Sequence, residues 1–469
     1  MKHLVIIGGG IAGLSAAYYL EQKTRAAGQA TLLTVLEAAP GWGGKITTDR
    51  QDGFVIEGGP DTFLATKPWG VALCRELGLE ERLHGTNPEK KHTYVLHQGR
   101  LESLPDGLTM MIPTRFGPMI RTNLLSWPEK ARMGLDFFMP PQPLNGDESL
   151  GSFVSRRLGR PAYERLIEPL MSGIYAGDGD QLSLKSTFPY LRDLELQHGG
   201  LVKGALATRR KMARKGKSAP GSRSAFLTPT NGLAEIVEAL VTRLQASGVD
   251  LRAATRVDRL SRLQDHYRVE LESGELLQAD GVILATPAYS AGELLAELDA
   301  SLAQDLQAIP YASTATVSLA YREDDLPRAL DGYGYVIPRR EGRKALACTW
   351  TSTKFPHRAP QGYALLRVFV GRAGQEDDLP QDEQSLLALA REELRLTLGI
   401  QAEPLLSRVF YWDRAMPQYN LGHPERMARI DTALERLPGL ALAGNGYRGI
   451  GIPDCIHSGE QAADRLLAF

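Results

Sequence analysis

The chain has 469 residues, enough for two or three domains at the usual roughly 150 residues each. Its 54 lysines and arginines balance 55 aspartates and glutamates, so no global field is available to hold nucleic acid or an anionic membrane. With 43% hydrophobic and 23% charged residues, a disordered or low-complexity chain is excluded and a soluble globular protein is expected.

Met1-Lys2-His3 lead straight into the apolar run Leu4-Val5-Ile6-Ile7, which is too short for a signal peptide and has no small-residue cleavage site. Gly8-Gly9-Gly10-Ile11-Ala12-Gly13 follow, then Leu14 to Glu21 with Ala and Leu at helical spacing. The pattern reads strand, tight turn, helix. In a G-x-G-x-x-G of this kind Gly8 permits the turn, Gly10 admits a pyrophosphate to the backbone, and Gly13 lets helix and strand pack closely. The diphosphate then meets the free N–H groups of the helix N-terminus. A second strand, Leu32 to Leu36, ends at Glu37-Ala38. A carboxylate there accepts from a ribose 2′-OH and repels a 2′-phosphate, so FAD or NAD fits and NADP does not. Gly43-Gly44-Lys45 and Glu57-Gly58-Gly59-Pro60-Asp61-Thr62 come next. Such glycine-bearing loops are superfluous for NAD but suit a flavin stretched across the protein, so FAD is expected. No second dinucleotide fingerprint follows, which implies that the substrate reduces the flavin and that oxygen or another acceptor reoxidises it.

Residues from about Pro68 to Gly200 carry helical patterns, including Pro128 to Phe138 and Ser149 to Tyr175. Trp127, Phe137, Phe138 and Met139 form an apolar stripe suited to core, to a channel wall or to lipid. Arg209-Arg210-Lys211 with Arg214, Lys215 and Lys217, before Pro220-Gly221-Ser222, is the only basic run; without interleaved aromatics it reads as a solvated mobile loop and not as a nucleic-acid site. A helix is expected from Leu233 to Leu244, a strand from Leu251 to Val257, a hairpin around Gly274, and a buried strand from Ala279 to Pro287. Residues from about Pro310 to Tyr411 alternate apolar and polar as in a sheet. Leu440 to Gly444 is a last strand, and Pro453 opens a helix running to Leu467. The three cysteines, Cys74, Cys348 and Cys455, are far apart, and the nine histidines are scattered, so neither disulfide framework nor metal site is expected. No apolar run approaches the roughly 18 residues that span a bilayer.

Beyond the dinucleotide turn, Leu166-Ile167-Glu168-Pro169-Leu170-Met171-Ser172-Gly173-Ile174-Tyr175-Ala176-Gly177-Asp178 resembles the signature segment of the protoporphyrinogen and coproporphyrinogen oxidases, within the flavin amine-oxidase superfamily. Ser186-Thr187-Phe188-Pro189, Met416-Pro417-Gln418-Tyr419 with Gly422-His423, and Gly449-Ile450-Gly451-Ile452-Pro453-Asp454-Cys455-Ile456 are similar to further segments of that family. The likeness runs from Lys2 to about Leu467. Ala347-Cys348-Thr349-Trp350-Thr351 and Phe355-Pro356-His357 look most like the soluble bacterial branch that oxidises coproporphyrinogen III. One departure is Gly41-Trp42, where the family often has a basic residue before its paired glycines.

The resemblance implies an α/β fold with a discontinuous Rossmann-like FAD-binding domain (residues 1–67, 227–290 and 436–469), a helical substrate-side or membrane-side insertion (68–200), a mobile basic loop (201–226) and a mixed-sheet substrate domain over the flavin (300–430). FAD contacts are expected from Gly8, Gly9, Gly10, Ile11, Ala12, Gly13, Glu37, Ala38, Gly44, Lys45, Gly59, Pro60, Asp61, Thr62, Val257, Trp412, Gly449, Ile450, Gly451 and Ile452. Lys67 is the expected partner of a substrate propionate, and Gly173, Ile174 and Tyr175 the wall against the tetrapyrrole. The implied reaction is the oxygen-linked, six-electron oxidation of coproporphyrinogen III to coproporphyrin III in haem biosynthesis, in three two-electron rounds with no catalytic side chain. Protoporphyrinogen IX oxidation is the alternative, followed by another enzyme of the superfamily or a flavoprotein scaffold that docks to haem-pathway enzymes. A cytoplasmic location is expected, with peripheral membrane contact compatible with the apolar stripe.

Overall fold

The run Leu4–Ile7 forms the centre of a five-stranded parallel sheet in the computed structural model, which describes residues 1–106, 108–109, 112–113, 115–142, 146–214 and 224–469. The strand order is Asp250–Arg252, Thr31–Leu36, Lys2–Ile7, Gly281–Leu284, Leu440–Leu442. Ile6 lies opposite Val35 on one side and Ile283 on the other. An apolar, β-branched run of this kind is buried on both faces of its sheet, as parallel strands require. Helices Ile11–Ala26 and Ile452–Leu467 cover one face, and at Gly459 they cross so closely that a Cβ would lie 2.4 Å from the Ala12 carbonyl oxygen. The hairpin expected around Gly274 belongs to a three-stranded antiparallel sheet, Val257–Leu263, His266–Leu271 and Leu276–Ala279, on the opposite face.

That face is also covered by helix His423–Glu435, whose Met427, Ile430, Ala433 and Leu434 share a core with Val5, Ile7, Val282 and Leu284. The expected break after residue 430 therefore falls inside a helix. Its apolar positions recur at helical spacing and turn toward the parallel sheet.

The second sheet has seven strands in the order Leu406–Pro417, Tyr311–Arg322, Tyr363–Val370, Ala345–Trp350, Gly332–Val336, His92–His97, Arg100–Ser103. Only Gly332–Val336 and His92–His97 run parallel, which makes the sheet mixed. Its last two strands come from the segment expected to be helical. Period-two patterning divides the sheet into two faces. Val317, Leu319, Tyr321, Leu366, Val368, Cys348 and Trp350 pack under helix Glu383–Leu398, whereas Thr316, Ser318, Arg367 and Phe369 point the other way, toward the glycine loops. The helices between residues 116 and 214 share a separate core around Phe153, Leu166, Met171 and Tyr419.

The basic segment departs from expectation. Leu201–Arg214 is a helix and not a mobile loop, because Leu201, Val202 and Ala205 are buried against that helical core and the sequence is rich in helix-forming Ala, Leu, Lys and Arg. Lys215, Lys217 and Pro220-Gly221-Ser222 lie outside the described residues. All three cysteines are buried and form no disulfide. Among the described residues no helix is long and apolar enough to cross a membrane.

Candidate cofactor and substrate site

Three glycine loops meet at the carboxyl end of the parallel sheet. In the first, Gly8 adopts φ +114° and donates to the Leu36 carbonyl at 2.7 Å. A Cβ on Gly13 would lie 1.9 Å from the Gly8 oxygen, so the helix rests on the turn itself, whereas a Cβ on Gly10 would meet nothing closer than 4.0 Å. Gly10 thus has the open face that a diphosphate needs. It caps the helix without any side-chain hydrogen bond, leaving the first-turn amides of Ile11, Ala12 and Gly13 to a ligand.

Glu37 stands at the end of the second strand. Its carboxylate accepts from the Gly9 amide at 2.6 Å and the Ala39 amide at 2.8 Å, which fixes its orientation and leaves lone pairs for a ribose. Ala38 is exposed beside it. The Thr255 amide donates to the Glu37 carbonyl at 2.8 Å, closing the chain over this end; half-buried Val257 begins the next strand two residues later. Trp42, where the family often has a basic residue, packs its ring so near Gly9 that a Cβ there would lie 2.5 Å from it.

The second loop pairs with the first: the Gly43 amide donates to the Gly9 carbonyl at 2.9 Å, and Gly44 lies exposed next to Gly10. Lys45 turns inward, donates to the Ala415 carbonyl and lies 5.7 Å from the Tyr311 ring centroid. Burial lowers its pKa to about 8. In the third loop, a Cβ on Gly59 would lie 1.8 Å from the Lys45 oxygen, so loops two and three touch backbone to backbone. The Gly58 carbonyl accepts from Thr316 Oγ1, Arg367 Nη2 and Trp412 Nε1, each at 2.9 Å, and the Gly59 carbonyl accepts from Arg367 as well. Half-buried Pro60 leads to Asp61, which meets Lys354 at 2.9 Å and accepts from the Thr62 hydroxyl at 3.2 Å. Burial alone would raise the Asp61 pKa; Lys354 and Arg367 outweigh it and hold the carboxyl at about 2.

The fourth wall is the start of helix Ile452–Leu467, with Gly449 and Ile450 ahead of it and Gly451 as its cap. The Gly451 amide donates to Asp454 at 3.2 Å, and Lys67 Nζ lies 2.6 Å from both oxygens of the same carboxylate. Burial first, then the negative charge of Asp454, raise the Tyr175 pKa. In the last turn of helix Glu168–Tyr175, Ile174 is 45% exposed and Gly173 has open space where a Cβ would stand. Tyr175 differs: its ring turns inward between Phe188 and Tyr419, at centroid distances of 5.7 and 6.2 Å, so only Gly173 and Ile174 face open space.

His423 is buried against the Tyr447 carbonyl and stacked on Tyr419, and His457 is stacked on Trp69, so both have packing roles. Arg367, Thr316, Lys354 and Gln418 belong to the site without having been expected there. Arg367 carries a signal as the one charge within the apolar run Ala364 to Val370, and Gln418 lies in the Met416–Tyr419 segment that resembles the family. Gln418 donates to the Tyr175 and Met416 carbonyls at 2.8 and 3.0 Å and so ties the signature segment to the sheet.

The groups present fit FAD: an uncapped helix start over Gly10, an oriented ribose-binding carboxylate, and backbone loops with no side chain between them. The model of the family described as Flavin containing amine oxidoreductase matches residues 11–467. A coproporphyrinogen III oxidase of Bacillus subtilis (strain 168) is 39% identical, the match covering 100% of this chain and 98% of that protein. One from Propionibacterium freudenreichii subsp. freudenreichii is 36% identical over 99% of this chain and 90% of its own length. A crystal structure of a protein from Exiguobacterium sp. 255-15 superposes with a TM-score of 0.86 at 34% identity, covering 99% of this chain and 98% of that one. The chain therefore belongs to the family of flavin containing amine oxidoreductases, and FAD is its cofactor.

Proposed function

We propose that the chain is a coproporphyrinogen III oxidase that delivers electrons to oxygen. The observations that carry this reading are the Lys67–Asp454 pair at a helix N-terminus and the exposed Ile174 and Gly173 in the signature helix. A porphyrinogen is a broad apolar ring edged with carboxylates. Ile174 offers an apolar face for such a ring, Gly173 leaves room for it, and Lys67 supplies a cation at the rim. The full-length likeness to bacterial coproporphyrinogen III oxidases supports the same substrate class. FAD, when bound, supplies the two-electron acceptor for each round of oxidation. The chain's own groups bind, orient and exclude water; no nucleophile–base–acid arrangement is required of them.

Anaerobic mixing of the purified yellow protein with coproporphyrinogen III tests the reading. Bleaching of the flavin absorbance, then porphyrin fluorescence and about three peroxides per porphyrin on admitting oxygen, is the expected result. A flavin that stays oxidised overturns the substrate. Faster steady-state turnover of protoporphyrinogen IX would favour that substrate in its place.

A peripheral membrane encounter is a second element of the proposal, within a cytoplasmic location. Trp127 and Phe138 are 69% and 80% exposed, and Leu135 and Phe137 of the same segment are exposed as well.

A further inference from the structure

Arg367 occupies the middle of strand Tyr363–Val370, where Ala364, Leu365, Leu366, Val368, Phe369 and Val370 are apolar. It is buried, and burial lowers its pKa. A charge in such a place is costly unless its hydrogen bonds are made. Yet Arg367 forms no ion pair among the described residues, and its bonds go to two consecutive carbonyls, those of Gly58 and Gly59. Nε and Nη1 are buried without a partner. The charged groups facing it are Asp61 and Glu57, with Arg358 as a third neighbour and Lys354 on Asp61. Glu57 is in turn paired with Arg358 at 2.9 Å. Three cations thus stand against two carboxylates, which leaves the group with a net positive charge, and among the described residues the guanidinium of Arg367 is the one of the three without a direct ion pair.

We propose that Arg367 is a positioning residue for the flavin: it holds the Gly58–Gly59 loop at a fixed height above the seven-stranded sheet, and its unbalanced charge raises the reduction potential of the cofactor. The inference rests on the assignment of loops 8–13, 43–45 and 58–62 to FAD. Thr316 and Trp412 also bind the Gly58 carbonyl, but Arg367 alone reaches both carbonyls, and Gly59 is where the loop lies on Lys45. Losing it would free the one loop that has no room to shift toward its neighbour. A buried cation favours the more negative, reduced form of a nearby redox group.

The experiment compares wild type, Arg367→Lys and Arg367→Met as holoenzymes and as refilled apoproteins. FAD affinity is read by quenching of flavin fluorescence, and the midpoint potential by equilibration with a reference dye under nitrogen. Arg367→Met should bind FAD at least about tenfold more weakly, as expected for losing hydrogen bonds from a charged donor, and its potential should move negative. Arg367→Lys keeps the cation but not the two-carbonyl reach, so its affinity should fall while its potential stays near that of wild type. A purely structural arginine would lower thermal stability in both variants and leave the potential of any flavin still bound where it was. Wild-type affinity and potential in Arg367→Met overturn the proposal. Should that variant not fold, an unchanged affinity in Arg367→Lys overturns the clamp. Failure of wild type to take up FAD at these loops would instead overturn the site assignment beneath it.

Discussion

Lys67 holds its ammonium 2.6 Å from both carboxylate oxygens of Asp454, and Asp454 also caps Gly451 at the head of the last helix. A substrate carboxylate approaching Lys67 therefore meets a partner already in place. Exchange between the two costs little, because a part-exposed ion pair contributes only about 0 to 1 kcal/mol. Lys67→Met should raise KM for coproporphyrinogen roughly tenfold with a smaller change in kcat, as removal of uniform binding does. Asp454→Asn keeps an oxygen for the cap and removes the competitor, so its KM should stay at or below that of wild type. Steady-state kinetics on the two variants check this, and equal KM values for Lys67→Met and wild type would remove Lys67 from the site.

Gly59 and Gly173 make a contrasting pair. A Cβ on Gly59 would lie 1.8 Å from a backbone oxygen that cannot rotate away, while a Cβ on Gly173 meets nothing within 4 Å. Gly59→Ala should be purified largely without flavin, since loops two and three must separate to admit the methyl. Gly173→Ala should keep its full complement of FAD, with its effect confined to KM for the porphyrinogen. The ratio of flavin to protein absorbance separates the two, and a fully loaded Gly59→Ala would contradict the backbone contact described for it.

Lys45 gives the site a pH dependence whose sign is fixed. Burial holds its amine at about 8, below its ordinary 10.5. In the apoprotein the cost of a buried cation is fully present below about 8 and disappears as pH rises toward 10.5, because the unfolded chain binds the extra proton across that window. FAD is an anion, so it binds better to the protonated amine. Its affinity should be highest below about 8 and decline as pH rises beyond that value. Lys45→Met should flatten the affinity profile and stabilise the apoprotein at neutral pH. Titration of apoprotein with FAD across this range is the measurement, and a flat wild-type profile would refute the assignment.

The dinucleotide turn was readable because each glycine answers a distinct steric demand: Gly13 under the Gly8 carbonyl, Gly10 open to ligand. Glu37 and the two later glycine loops were readable for similar reasons of backbone access. The strands His92–His97 and Arg100–Ser103 were not, because they are short and the pair joins the sheet only through Gly332–Val336, which meets His92–His97 from more than 200 residues away in the chain. Helix His423–Glu435 shows its amphipathic face in the sequence, but periodicity does not say which sheet the face meets. The motif that marks Tyr175 does not show that its ring is buried between Phe188 and Tyr419, a packing set by residues from other elements. Lys354 and Gln418 act through partners that are remote in sequence, Asp61 and the Tyr175 carbonyl, and no local pattern announces such pairs.

The apolar stripe on the helical segment is held rigid from beneath. Arg157, fully buried, binds the Asp136 carboxylate at 2.5 Å together with the carbonyls of Met139, Pro140 and Gly199, so the turn that carries Phe137 and Phe138 has no freedom to fold inward. Trp127 lies under Lys130 at 4.9 Å and Phe137 under Lys203 at 4.8 Å. Aromatic side chains rimmed by lysines match the boundary of an anionic bilayer, where rings enter the acyl edge and ammonium groups remain among the phosphates. Burying one such ring contributes about 2 kcal/mol, so Trp127→Ser combined with Phe138→Ser should weaken vesicle binding more than tenfold. The assay is co-sedimentation of the full-length holoenzyme with phosphatidylglycerol-containing vesicles at low salt, with phosphatidylcholine vesicles for comparison. Turnover of coproporphyrinogen in solution should be unaffected, since neither ring lies at the glycine loops or beside Lys67. Wild-type protein that stays in the supernatant with anionic vesicles would show that the stripe meets no membrane, whereas sedimentation unaffected by the double substitution would place the contact elsewhere on the surface.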